Sequence, residues 1–286
     1  MCQPKNCGNP DQNDPDQGIR IDLEGADLRG AILSGMSLDK TILPAANLSG
    51  ANLKRAQLEG TDLSGVNLEG ATLELANLSR ATFHKANLTA ANLSGTTLVD
   101  VNFDEAILNG VVLEKAILKG VNLNGANLSG LNLSKAQLQG TTLINTNLSR
   151  AILKGANLEG ANLNKADLSG ANLSEANMLL AQLNQANLTK AILIQVDFTG
   201  ANLKEANLDE ANLVGSKLKT AILDNVIQEK SGGNNPFLKL ALPEKMTMHN
   251  WSKTQFRSVF WDETTEWPEG IIPPCRIHLP DAPCQK

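Results

Sequence analysis

Aromatic residues are scarce in this chain. Its 286 residues include six Phe, three Trp and no Tyr. Conventional cores draw much of their buried bulk from aromatics, so this scarcity argues against the one or two ordinary domains that the length would allow. No run of 18 or more apolar residues occurs, and no membrane span is expected. Met1 to Arg20 is rich in Pro, Asn, Asp and Gln and lacks the apolar core of a secretory signal peptide. The expected location is the cytoplasm, where thiols stay reduced. There is no basic excess either. A net charge of −5 leaves no electrostatic footprint for nucleic acid, so no direct nucleic-acid partner is expected.

Groups that carry chemistry are equally few. The four cysteines form two pairs near the ends, Cys2 with Cys7 and Cys275 with Cys284. Their spacings fit no standard zinc pattern. They read as reduced thiols, with a Cys275–Cys284 disulfide as the alternative. The three histidines, His84, His249 and His278, stand apart from one another, and none has a Cys or carboxylate at metal-ligand spacing. No phosphate loop, dinucleotide fingerprint or nucleophile elbow is present. No catalytic residue, cofactor or metal is expected.

What the chain does have is a five-residue period. From Leu23 to Leu223, 41 positions at steps of five are all Leu except Phe83, Phe103, Met178 and Phe198. The register never slips. An α-helix cannot hold this period on one face. Two residues before each centre the chain is small, as at Ala46, Ala51, Ala56 and Thr61. The residue between the two is usually Asn or Asp, as at Asn47, Asn52 and Asp62. Apolar, polar, apolar is a short β stretch with alternating sides. Leu48, Leu53, Leu58 and Leu63, with Phe83, Phe103, Met178 and Phe198 in the same slot, are the predicted core.

The two residues after each centre must turn the chain. Of 23 glycines, 18 lie in the repeats, each two residues after a centre. Glycine there supplies the positive φ of a type II turn. Where Arg55, Lys85, Glu105 or Asn145 fills that slot, a different turn is expected.

Units such as Ala-Asn-Leu-Ser-Gly at 46–50, Ala-Asn-Leu-Glu-Gly at 156–160 and Ala-Asp-Leu-Ser-Gly at 166–170 resemble the A-(D/N)-L-x-x motif of pentapeptide-repeat proteins. That family is especially abundant in cyanobacteria. The resemblance implies an all-β fold, a right-handed quadrilateral β-helix. Residues 20 apart then stack, and the repeats build about ten coils, or roughly 50 Å at strand spacing. Each coil buries its apolar residues only against its neighbours.

The expected organisation is a flexible segment at 1–18, the β-helix at 19–227, a linker at 228–236, a cap at 237–270 with two degenerate repeats, and an extended tail at 271–286. Ile19 and Ile21 are placed over the first coil. The cap gathers Phe256, Phe260, Trp261 and Trp267, which would cover the final sheet edge. The run Trp261 to Pro268 resembles the closing sequence of many bacterial members.

Function is sought on the surface, because outward slots are normally polar. Ile107, Val112 and Ile117 fall on three successive sides of one coil. Ile152, Ile192, Ile194 and Val214 share one side, with Leu179 and Leu180 on the next. β-branched residues suit strands anyway, but Ile194 and Val214 sit in the slot after the centre. These six residues are the candidate partner-binding surface. The leading reading is a non-catalytic scaffold or regulator that binds an unidentified protein, as a monomer or homodimer. The alternative comes from the resemblance: some members mimic DNA and protect DNA gyrase. Residues 21–227 carry 16 Lys and Arg against 20 Asp and Glu, a mixed surface that disfavours mimicry, although Glu205, Asp209 and Glu210 cluster. An enzyme within the C-terminal segment is the weakest option.

Overall fold

The computed structural model describes residues 22–223 and 264–267. The chain divides into two compact units, Met1–Asn122 and Leu123–Lys286. Among the described residues there is no helix, and so none long and apolar enough to cross a membrane.

Within each unit the outward residue of every pentapeptide pairs in parallel with the residue 20 positions on. In the first unit the pairs run from Asp22 with Ile42 to Asn102 with Asn122. In the second they run from Asn127 with Asn147 to Asn202 with Ile222. A 20-residue coil of five-residue steps has four sides, so each unit is a four-sided β-helix. By sequence register, face I carries centres such as Leu43 and Leu143, face II Leu48 and Leu148, face III Leu53 and Leu153, and face IV Leu58 and Leu158.

A hydrogen-bond account of one pentapeptide explains the motif. In residues 46–50, the Ala46 N–H donates to the Leu43 carbonyl at 3.1 Å and closes the preceding turn. The Asn47 N–H donates to Ala26 in the coil before, at 2.8 Å. Leu48 and Gly50 donate to Asn67 and Glu69 in the coil after, at 2.7 and 2.8 Å. The remaining donor, the Ser49 N–H, is taken by the Asn47 side chain, Oδ1, at 3.1 Å. All five N–H groups are thus satisfied, as backbone groups in a packed fold must be. Asn or Asp in the outward slot is therefore a local cap of the kind these side chains favour.

The centres fill the interior. Leu48, Leu53, Leu58 and Leu63 are at most 1% exposed, as are Phe83, Met178 and Phe198. Phe103 lies at 9% and stacks on Phe83 with ring centroids 5.3 Å apart and planes 9° off parallel. This is an offset stack between successive coils of face I. Buried threonines in the small slot return their hydroxyls to backbone carbonyls. Thr61 and Thr146 donate to the centres 23 residues back, Leu38 and Leu123, at 2.9 and 2.8 Å.

The corners correct one expectation. Every slot two residues after a centre, from Gly25 to Thr220, has positive φ. Eighteen of these residues are Gly and 22 are not. Arg55, Lys85, Glu105 and Asn145 adopt φ of 58°, 57°, 55° and 56°, in the same left-handed region as the glycines at 62–72°. No separate turn exists for them. The corner N–H must reach a carbonyl in the next coil, as Lys165 reaches Asn184 at 2.8 Å, and that bond sets the backbone whatever the side chain. A non-glycine residue there carries a left-handed penalty of roughly 1 kcal/mol.

The last coil closes with residues distant in sequence. Thr265, Glu266 and Trp267 follow the small, outward, centre pattern: Thr265 is buried, Glu266 exposed and Trp267 half-buried. Glu266 pairs in parallel with Lys217, and the Leu218 N–H donates to the Glu266 carbonyl at 2.5 Å. The Thr265 hydroxyl donates to the Leu213 carbonyl at 3.0 Å and accepts from the Gly215 N–H at 3.1 Å. Leu213 stands where the register of Thr61 and Thr146 places the acceptor. Trp267 thus extends face IV by one centre. Ile19, Ile21, the other cap residues Phe256, Phe260 and Trp261, the degenerate repeats before Thr264, and all four cysteines lie outside the described residues.

Candidate functional site

The stacking interval of 20 decides which surface residues meet. On face III of the second unit the outward column reads Asn132, Ile152, Asn172, Ile192 and Asn212, paired in that order. Ile152 and Ile192 are 42% and 39% exposed, on either side of Asn172. In the next column Ile194 and Val214 occupy successive coils and are half-buried. These four residues share one face, Ile192, Ile194 and Val214 in neighbouring slots and Ile152 two coils before Ile192.

Their position has a cost. Asn172 and Asn212 take the N–H groups of Ser174 and Val214 on their Oδ1 atoms, each at 3.1 Å. Isoleucine has no acceptor. Among the described residues, the N–H groups of Lys154 and Ile194 have no hydrogen-bond partner. Lys154 is exposed and Ile194 half-buried, and the loss is of the order of one net hydrogen bond, about 1 kcal/mol each. The strand preference of a β-branched residue offsets part of it. A repeat with Asn in that slot would satisfy both.

The rim is charged, with cations of both corners set among acids. Along this face and its two corners stand Lys135, Arg150, Lys154 and Lys190, against Glu175, Asp209 and Glu210. Lys154 pairs with Glu175 at 3.2 Å and Lys190 with Glu210 at 3.7 Å. Among the described residues, Lys135 and Arg150 have no carboxylate within ion-pair distance. Their stems lie across the corner glycines of the next coil, Lys135 Cγ 3.5 Å from a Cβ built on Gly155 and Arg150 Cγ 3.7 Å from one on Gly170.

Leu179 and Leu180 are not part of this group. They lie at the far corner of face IV, beyond the polar column Asn157, Asn177, Asp197 and Lys217. Leu179 is half-buried and its N–H donates to Asn177 Oδ1 at 3.0 Å. Leu180 is 56% exposed, with φ at 57°. In the first unit, Ile107, Val112 and Ile117 pair with Asn87, Asn92 and Thr97 on faces II, III and IV, so they point in three directions and offer no common surface.

One constellation escaped the reading of His84 as isolated. His84 and Asp104 are 20 residues apart, and the coil brings His84 Nδ1 to 3.2 Å from Asp104 Oδ2. Glu105 joins them, with one potential ligand atom from each of the three residues inside 4.8 Å. Glu105 also pairs with Lys85, 20 residues earlier, at 3.7 Å. The group is a cross-coil His–Asp contact beside a Lys–Glu ion pair on an exposed strip, of the kind worth little each. Counting in steps of 20 rather than five would have found it.

Comparison with known proteins places the chain. The family model for pentapeptide repeats matches in eight copies, over residues 21–60, 56–95, 97–134, 106–143, 132–170, 143–179, 151–189 and 181–219. Among solved structures, the chain is similar to HetL, a pentapeptide repeat protein involved in heterocyst differentiation regulation from the cyanobacterium Nostoc sp. strain PCC 7120. Identity is 34%, over 72% of this chain and 89% of HetL, with a TM-score of 0.32. It is also similar to a pentapeptide repeat protein from the Arabidopsis thaliana thylakoid lumen, at 31% identity over 38% of this chain and 72% of that one, TM-score 0.28. QnrB1, a plasmid-mediated fluoroquinolone resistance protein, matches at 17% identity over 85% of this chain and 92% of its own, TM-score 0.29. No curated protein sequence matches the chain. With repeats matched over more than half its length and the four-sided coil in each unit, the chain belongs to the pentapeptide repeat family and has its right-handed quadrilateral β-helix fold.

Proposed function

We propose that this protein is a non-catalytic scaffold or regulator, and that it binds a partner protein through face III of its second unit. One observation carries the reading. Ile152 and Ile192 occupy slots where Asn would cap the following N–H, and both lie in one column beside Ile194 and Val214. Residues that forgo local hydrogen bonds and expose apolar area together mark surfaces kept for binding. Leu179 and Leu180 would form at most a second, separate contact.

The gyrase-directed alternative has less support. It needs a strongly acidic surface, yet Lys154, Lys190 and Lys217 stand within 4 Å of Glu175, Glu210 and Asp197 in the second unit. Glu205 accepts from Gln185 Nε2 at 2.7 Å, so the acidic cluster is also interleaved with neutral groups.

The test is affinity capture from a lysate of the source organism with the full chain and with the Ile152→Asn/Ile192→Asn variant. The proposal expects a partner that the variant loses. Retention of every captured protein by the variant would sink it. A supercoiling assay with the pure protein runs in parallel, and altered gyrase activity would promote the alternative.

A further inference from the structure

Resting on that reading, we infer that the partner presents an amphipathic α-helix with acidic flanks, laid along the coil axis on face III of the second unit. Three features of the face favour this occupant over others.

The first is width. A face is three extended residues across, roughly 10 Å, and an α-helix with its side chains is about 10–12 Å thick. The second is spacing. Ile152 and Ile192 are two coils apart, roughly 9.6 Å, against about 10.8 Å for two helical turns. Side chains at positions i, i+3 or i+4, and i+7 of a helix would meet Ile152, the small gap over Asn172, and Ile192. Ile194 and Val214 widen the apolar track on one side. The outward residues here already pair with the coils before and after, so an extended partner finds no free strand edge to join.

The third is charge. The chain as a whole carries −5, but this face and its corners hold four cations against three acids. Arg150 and Lys154 bracket Ile152, and Lys190 precedes Ile192. Arg150 and Lys135 have no acidic partner among the described residues, so carboxylates on the flanks of a docked helix would complete the rim rather than compete with existing pairs.

A fluorescein-labelled synthetic 18-residue helix tests this, with Leu at i, i+4, i+7 and i+11 and Glu on both flanks. Its binding to the full chain is read by fluorescence anisotropy. Controls are the same peptide with Lys in place of Glu, and a proline-interrupted peptide of the Glu composition. The inference expects saturable binding of the Glu helix. The Lys helix and the proline peptide should bind at least tenfold more weakly. The Ile152→Asn/Ile192→Asn chain should lose at least tenfold for the Glu helix, and Arg150→Glu a smaller factor that shrinks in high salt. Failure of the Glu helix to bind, equal binding of the proline peptide, or no effect of the double variant overturns the helix. A homodimer that the double variant dissolves would also overturn it, by assigning the face to a second copy. If the helix fails while a captured partner still depends on Ile152 and Ile192, the scaffold reading survives alone. If both fail, both fall.

Discussion

The side chain of Leu180 lies across Gly200, one coil further on, so that a Cβ built on Gly200 would stand 2.8 Å from Leu180 Cδ2. Gly160, in the same corner column, has φ of 62° and nothing within 4 Å. Gly160→Ala therefore pays only the left-handed penalty, about 1 kcal/mol. Gly200→Ala pays that and must displace Leu180, and should cost about 1 kcal/mol more, at the low end for overpacking because Leu180 is exposed. Denaturant unfolding measures both. A Leu180→Ala background should erase the difference, and its persistence there would contradict the contact.

The corners predict stabilising substitutions. Lys165 holds φ of 60° and forms no ion pair among the described residues. Lys165→Gly should stabilise by about 0.5–1 kcal/mol, the left-handed penalty less the entropy of a freer unfolded chain. Asn145→Gly should gain less, because Asn tolerates that region. A lower melting temperature for Lys165→Gly would show that the corner is not strained.

Much of this fold is legible in the sequence because two signals coincide. The five-residue step names Leu48, Phe83 and Phe198 as core, and all three are buried. Stacking by 20 names the Lys85–Glu105 pair and puts Ile152 and Ile192 in one column. The turn at Arg55 does not follow residue preference, because its N–H donates to the Glu74 carbonyl in the next coil at 2.8 Å and that bond sets the corner. Stacking by 20 also sets the outward Asn side chains in columns, where amides can be bonded along the stack. Some are, as with Asn87 Nδ2 to Asn67 Oδ1 at 3.2 Å, but the commoner role of Asn is the cap on the N–H two residues on. Thr265 to Trp267 was read as cap material, while its in-register pairing with Lys217 was hidden by the break in the five-residue step after Leu223. The binding face is the least legible feature, since an outward Ile looks like strand preference until the missing cap is counted.

The closing repeat offers its own test. Thr265 is 6% exposed and holds one donor and one acceptor of the preceding coil. Thr265→Val keeps the shape and removes both bonds, and should cost about 1–3 kcal/mol. Thr265→Ser should recover most of that loss. Equal stability of the Val variant and the parent would place residue 265 outside the ladder.

In the interior, Phe83→Ala should cost about 3–5 kcal/mol, since Phe83 is fully buried and stacked on Phe103. Phe83→Leu restores the residue most centres carry and should recover the greater part. Urea unfolding followed by circular dichroism reads both, and a near-neutral Phe83→Ala would contradict the packing.

The central claim is that face III of the second unit sacrifices stability for binding. The Ile152→Asn/Ile192→Asn variant tests it most directly, with unfolding and partner capture measured on the same preparation. Restored caps on the Lys154 and Ile194 N–H groups should hold or raise stability, by up to about 1 kcal/mol per site, while the captured partner is lost. A variant that is less stable and still binds its partner would contradict the account on both counts.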